Sequence, residues 1–249
     1  MQYGVCNLSI VPLRFEPSDK TELVSQVLYG DFFKVLEKRK TWSKIRLAFD
    51  KYEGWIDNKQ YVEISKEDYT SLKDEPLKLS SDLVEFIQNE NEQLVTIPIG
   101  SSLNALKLLN HKHDGNYITK IQPKEHIPQT AFTYLNAPYL WGGKTPFGID
   151  CSGFTQMVYK LNGHKLLRDA SQQASQGVAL SFIEESEPGD LAFFDNDEGT
   201  IVHVGIILKD NYIIHAHGKV RIDRLDHTGI YNVDTNKHSH KLRVIKKII

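Results

Sequence analysis

Between residues 142 and 154 the chain reads GGKTPFGIDCSGF, and there its hydrophobic period changes. Four glycines and a proline surround one cysteine, and an apolar segment follows at once. Phe154, Met157, Val158 and Leu161 then fall at helical spacing on one stripe, and Asn162-Gly163 supplies a helix stop. Beyond it, LSFIEESEPGDLAFFD gives a turn and a strand, and TIVHVGIIL, YIIHAHG, KVRID and KLRVIKKII read as four more strands. TAFTYLNA, ahead of the glycine loop, reads as a further helix. Helices followed by an antiparallel run of strands define an α+β domain over 127–249.

The preceding sequence is built differently. Residues 1–63 alternate short runs of Val, Leu, Phe, Ile and Trp with breaks at Gly30-Asp31, Lys38–Lys40 and Asp50-Lys51, the spacing of a small barrel. Residues 64–126 open on a charged, partly helical stretch and reach an alternating strand in LVTIPIG. They are expected to form a second, divergent barrel or a long connector. QPKEHIPQ, with two prolines, marks the expected boundary to the last domain.

Composition closes off several classes. A net charge of −2 over 249 residues leaves no basic footprint for nucleic acid. No apolar run has the length of a membrane span. MQYGVCNLSIVPLR lacks the charged start and apolar core of a signal peptide. A cytoplasmic protein is therefore expected, or a periplasmic or cell-surface one if a signal has been removed. The two cysteines, Cys6 and Cys151, are far apart and form no CxxC pair, which argues against a disulfide scaffold or structural zinc site. Cys6, in a strand-like segment, reads as a packing residue.

Cys151 differs, because it falls at the first turn of the expected helix. Helix N-terminal N–H groups favour an anion there and should lower the thiol pKa, and one of them could steady an oxyanion. Burial beneath a tight turn is the competing reading. A nucleophilic cysteine needs a base. In TIVHVGIIL, His203 lies mid-strand on the face opposite Val202, Val204, Ile206 and Leu208. In YIIHAHG, His215 and His217 share one face; if the two strands pair, His215 can orient His203 through one ring nitrogen and leave the other for the thiol. His217, beside Gly218, reads as a rim residue. Each histidine taken alone is equally a hydrogen-bonded structural residue.

Together, PYLWGG, DCSGF, RDASQQ, PGDLAFF, HVGIIL and IIHAHGKVRID resemble, in order, the NlpC/P60 family of cell-wall cysteine peptidases. The pieces LYGDFFKVLE, Trp42 and YEGWI, after Arg14, resemble a bacterial SH3 domain. The resemblance implies a papain-like core preceded by one or two SH3-like barrels. It implies Cys151 as nucleophile, His203 as base, His215 as orienting third member and Tyr139 as a donor near the oxyanion. No cofactor or metal is expected.

The SH3 domains narrow the likeness to γ-D-glutamyl-L-diamino acid endopeptidases, which cleave peptidoglycan-derived peptides bearing a free N-terminal L-Ala. That ammonium needs a carboxylate partner. The resemblance implies Asp169 for it, with Ser152 and Ser171 adding polar contacts and Tyr52 meeting the amine end. Asp169 equally suits a helix N-cap, and Tyr52 barrel packing. Ala170 stands where the related motif often has serine. A non-catalytic wall-binding SH3 protein, an acyltransferase or amidase on the same core, and a Cys/His/His zinc site are the alternatives. The diamino acid, meso-diaminopimelate or lysine, has no marker in the sequence.

Overall fold

In the computed structural model, which describes residues 2–249, the chain forms two units. One runs to Lys120 and includes Trp141–Pro146; the other comprises Ile121–Leu140 and Phe147–Ile249. The second unit thus begins at Ile121 rather than at 127.

The first unit is built on β1 (Gln2–Val5), β2 (Ile10–Arg14), β3 (Leu23–Leu28), β4 (Phe32–Lys38), β5 (Trp42–Leu47), β6 (Glu53–Asp57) and β7 (Val62–Ile64). They form one antiparallel sheet in the order β3-β2-β6-β5-β4-β1-β7, curled around Val11, Leu13, Val27, Phe33, Ile45 and Ile56. Strand alternation sends those residues inward. Cys6 is fully buried among them, as expected, and burial pushes its thiol up to about 12.

Residues 64–126 close no second barrel. They supply helix α1 (Lys66–Asp74), held by a Ser65–Asp68 capping box, and the strands β8 (Leu79–Ser80), β9 (Val84–Gln88), β10 (Leu94–Pro98) and β11 (Tyr117–Ile118). These strands pair as two short ladders, β9 with β10 and β8 with β11, extended by the single bridges Gln88–Lys112 and Leu79–Ser102. Isolated ladders of this size are marginal without a hydrophobic partner. They find it on the barrel: Tyr29 packs with Ile87, Ile97 and Leu103, and Val5 with Leu72 and Ala105. The segment is an annex of the first barrel.

Trp141–Pro146, including the short strand β12 (Lys144–Thr145), belongs to this unit. Trp141 Nε1 donates to Glu22 at 2.6 Å, and the Lys144 N–H to Gln26 at 2.7 Å. Gly142 has φ +76°, and a β-carbon there would meet the Leu23 carbonyl oxygen at 2.3 Å. Only glycine allows that approach.

In the second unit, helix α2 spans His126–Phe132, earlier than expected for TAFTYLNA. Pro128, read as boundary punctuation, is the helix's third residue, where the missing N–H has no intrahelical partner to lose. After the short strand β13 (Gly148–Ile149) comes helix α3 (Cys151–Leu161), buried along its whole length. Helix α4 (Ala170–Gln173) and strand β14 (Val178–Leu180) follow.

Six strands, β15 (Leu191–Asp195), β16 (Ile201–Ile207), β17 (Tyr212–His217), β18 (Lys219–Leu225), β19 (Gly229–Asn232) and β20 (Lys237–Lys247), then pair antiparallel in sequence order. Strand β20 pairs with both β19 and β15, so the sheet closes on itself. Ala192, Phe194, Ile207, Ile213, Leu225, Ile230 and Ile245 fill the ring. Helix α3 packs outside it, against β16 and β17. Among the described residues, no helix is long and apolar enough to cross a membrane.

Candidate active site

The cysteine loop is held from beneath. Asp150 is the N-cap of α3, its carboxylate accepting from the Gly153 N–H at 2.6 Å. The same carboxylate receives a two-pronged grip from Arg168: Nη1 to Oδ1 at 3.0 Å and Nη2 to Oδ2 at 2.6 Å. Arg168 Nη1 also donates to Ser152 Oγ at 3.0 Å. Gln173 of α4 adds a third tie, donating to the carbonyls of Ser152 (2.9 Å) and Leu167 (2.8 Å) and accepting from Thr155. Arg168 and Gln173 are fully buried. Paired planar groups of this kind fix direction as well as distance. Neither Asp150 nor Arg168 stood out in the sequence, although both adjoin residues that did.

Cys151 therefore starts a helix whose first turn cannot drift, but its thiol is not the thiolate expected there. Burial, reinforced by the Asp150 charge, pushes it up to about 12. The N–H groups of Val204 and Ser152 and the Arg168 charge act the other way and do not prevail. The helix-start N–H groups still favour the thiolate, but the cost of desolvating that charge is larger. In the resting site the sulfur is a protonated thiol.

The histidine side of the site is one end of the ring. Antiparallel pairing sets Gly205 opposite His215, and His215 opposite Arg221. His203, His215 and Asp223 consequently face inward, above the apolar filling, on three adjacent strands. Gly205 makes this possible, because a β-carbon at 205 would lie 2.9 Å from His215 Cβ. His203 Nε2 and His215 Nδ1 are 2.8 Å apart, and His215 Nε2 lies 3.0 Å from Asp223 Oδ2. The two histidines that the sequence suggested are thus joined, and Asp223, which it did not, extends the line. Alternation within KVRID carries the only sequence signal for Asp223.

Electrostatics follow from burial. Desolvation, then the neighbouring His215, His240 and His217, hold His203 well below the ordinary histidine value. Desolvation also lowers His215, despite Asp223. Burial alone would raise Asp223, but hydrogen bonds from His215, Arg221 and the Val233 N–H bring it down to about 2. The site thus holds neutral imidazoles beside a fixed carboxylate.

His240 of β20 stacks on His203, ring centroids 4.1 Å apart and planes 21° apart. His203, His215 and His240 bring ring nitrogens within 4.8 Å of one another. That grouping makes a poor coordination shell. Two of the nitrogens are committed to each other, and stacked rings point their lone pairs along separate planes, whereas a metal ion must lie in both. His217 is exposed at the rim.

The other sequence-derived residues distribute as follows. Tyr139 is 36% exposed, and desolvation, with Cys151 and the Asp150 carboxylate nearby, pushes its hydroxyl up to about 12, so it stays a donor. Ser152 is buried, its hydroxyl held by Arg168. Asp169 is the N-cap of α4, with Gln172 accepting from its N–H at 3.1 Å. Ser171 is exposed on the same short helix. Tyr52 lies in the first unit, partly buried against the barrel core, its N–H on Asp50 at 3.0 Å.

Residues 136–239 match the NlpC/P60 family, and residues 13–60 match the bacterial dipeptidyl-peptidase SH3 domain. The chain is 28% identical to dipeptidyl-peptidase 6 of Lysinibacillus sphaericus, over 85% of this chain and 87% of the relative. It is 26% identical to a γ-D-glutamyl-L-lysine dipeptidyl-peptidase of Bacillus cereus, over 80% of this chain and 68% of that one. The crystal structure of an NlpC/P60 family protein from Bacillus cereus superposes with a TM-score of 0.82 at 21% identity, covering 99% of both chains, which establishes the shared fold. Fold and motif order agree: residues 136–239 belong to an NlpC/P60 domain, and residues 13–60, ahead of it, to a bacterial SH3 domain.

Proposed function

We propose that the protein is a cysteine endopeptidase that cuts the amide between γ-D-Glu and a diamino acid in peptidoglycan-derived peptides bearing a free N-terminal L-Ala. The observation that carries the chemistry is the 2.8 Å contact of His203 with His215, beneath a strand whose next residue offers its N–H to the Cys151 sulfur. The substrate class is supported by the names of the relatives, two of which are dipeptidyl-peptidases.

The resting pair is a thiol beside a neutral imidazole, so proton transfer accompanies attack. His203 accepts the Cys151 proton as Sγ bonds to the γ-carbonyl carbon. Charge then develops on the carbonyl oxygen, where the Tyr139 hydroxyl and an N–H of the α3 start are the proposed donors. The intermediate collapses to a thioester as His203 returns the proton to the leaving amine. Water, deprotonated by the same imidazole, hydrolyses the thioester and releases L-Ala-γ-D-Glu and the free thiol. Asp169 is the proposed partner of the substrate ammonium and Tyr52 a proposed aromatic contact to it.

The test is incubation with L-Ala-γ-D-Glu-L-Lys and its meso-diaminopimelate counterpart, each with a free and an acetylated N-terminus, with products identified by mass. Cleavage of the free peptides at the γ-amide is expected, with acetylation slowing it strongly and Cys151→Ala abolishing it. Retained cleavage by that variant would falsify the nucleophile assignment, and equal cleavage of acetylated peptide would remove the ammonium gate alone.

A further inference from the structure

Asp223 ends the IIHAHGKVRID stretch, where no sequence motif assigned it a role, and it is fully buried. Four donors converge on it. Arg221 Nε reaches Oδ2 at 2.7 Å, Arg221 Nη2 reaches Oδ1 at 2.9 Å, and the Val233 N–H reaches Oδ1 at 3.1 Å. His215 Nε2 is the fourth, 3.0 Å from Oδ2. A guanidinium and a backbone amide can only donate, so Asp223 is held as an ionised, acceptor-only carboxylate.

That restriction propagates. Opposite a carboxylate, His215 Nε2 must carry the hydrogen. A neutral imidazole has one N–H, so His215 Nδ1 is left as an acceptor. His203 Nε2, 2.8 Å away, must then donate to it. His203 is neutral in its turn, and its single hydrogen is now placed. We infer that Asp223 is a positioning residue of the peptidase site: through His215 it fixes the tautomer of His203 so that Nδ1 holds the free lone pair for the Cys151 proton. When His203 becomes an imidazolium, its Nε2–H bond to His215 stays as it was, and no proton needs to pass along the chain. Charge on the imidazolium then faces the lone pair of His215, with the Asp223 carboxylate behind it. Were His215 doubly protonated, its Nδ1–H would oppose the His203 Nε2–H and reverse the assignment. Burial of His215 prevents this.

The inference rests on Cys151 and His203 being the reacting pair, but its primary test needs no substrate. In the full-length protein with 15N-labelled histidines, both His203 and His215 should show the hydrogen on Nε2 and a bare Nδ1. A hydrogen on His203 Nδ1 overturns the inference, whatever peptide the enzyme cleaves. The second arm is Asp223→Asn. Two fixed donors, Arg221 Nη2 and the Val233 N–H, meet the Oδ1 site, against Arg221 Nε alone at Oδ2, where His215 can change tautomer. The amide oxygen therefore takes the Oδ1 site, its NH2 turns toward His215 Nε2 with loss of the Arg221 Nε bond, and both tautomers invert.

In that variant His203 should show its hydrogen on Nδ1. Alkylation of Cys151 by iodoacetamide and kcat should both fall, kcat by roughly 10⁴-fold as for a wrong-tautomer serine triad, with KM little changed. A variant that keeps kcat within about threefold of the parent overturns the inference and leaves the peptidase assignment standing. Loss of cleavage by the parent itself would strike the substrate proposal and leave the ring-nitrogen result intact. Should the variant fail to fold, the parent's ring nitrogens decide alone.

Discussion

The two units are both antiparallel barrels, and they differ in what each admits to its interior. Around the core of the first barrel the buried polar groups serve turns and strand packing: Asp31 accepts from the Leu28 N–H at 2.9 Å, Asp50 from the Tyr52 N–H at 3.0 Å, and the Ser43 hydroxyl contacts Tyr61 at 3.0 Å and Asn58 at 2.7 Å. The second barrel has the same kind of apolar filling below, but one end holds His203, His215 and Asp223, each desolvated and each with a partner. A satisfied hydroxyl costs a barrel little. Buried ionisable groups are tolerated only when a complete set of partners surrounds them, and that same completeness holds a base in one orientation. The second unit concentrates its chemistry where its own stability is most conditional.

Breaking the grip on the nucleophile loop is expected to have the largest effect. Arg168→Met leaves Asp150 buried without its counter-ion and should destabilise the second unit by about 3–5 kcal/mol. Turnover should fall with it, because Asp150 caps the helix that begins at Cys151. Calorimetry, with tryptophan fluorescence marking the first unit, which holds Trp42, Trp55 and Trp141, would test this through the separate thermal transitions. An unshifted second transition contradicts it.

A matched pair of small cuts sharpens the contrast. Ile56→Val in the first barrel and Ile213→Val in the second should each cost about 0.5–1.5 kcal/mol. Only the second should also lower kcat, because Ile213 packs beside Gly205 and His215. Equal kcat for the two variants would show that the floor beneath His215 is not needed to place it.

Acid supplies the gentlest probe. Desolvation, with His215 and His217 nearby, brings His240 down to about 4, against about 6.5 in an unfolded chain. Between those values the unfolded chain binds more protons, so this contribution is full above about pH 6.5 and is lost as pH falls toward 4. His240→Phe, which retains an aromatic face for His203, should flatten the stability of the second unit over that interval. Denaturant midpoints at pH 7, 5.5 and 4.5 measure it; an unchanged slope removes His240 from the account.

Much of the site was legible because chemistry of this kind needs particular residue types at particular places. Cys151 announced itself through the period change. His203 and His215 did so as polar residues at inward positions of apolar strands, and strand pairing then joined them. Asp223 and Arg168 were not visible, since a charged residue on a short alternating strand, or beside a capping aspartate, reads as solvated until tertiary structure encloses it. The thiol was misjudged for a related reason: helix geometry can be read locally, whereas desolvation belongs to everything packed above the sulfur. Residues 64–126 showed strand-like alternation in LVTIPIG, but alternation says which face is buried and not what buries it. There the partner was the neighbouring barrel, and no second one formed.

The double pairing of β20 bears on when the enzyme becomes active during folding. Leu191 pairs with Lys246 across the seam of the ring, so closure joins residues far apart in sequence, the slow kind of contact. Helix α3 can form early from local interactions, whereas the inward seat shared by His203, His215 and His240 exists only once β20 is docked. On the proposed mechanism, a half-folded chain carries a cysteine without its base and does not act on its neighbours. Closing the last seam completes the fold and arms the peptidase in one event.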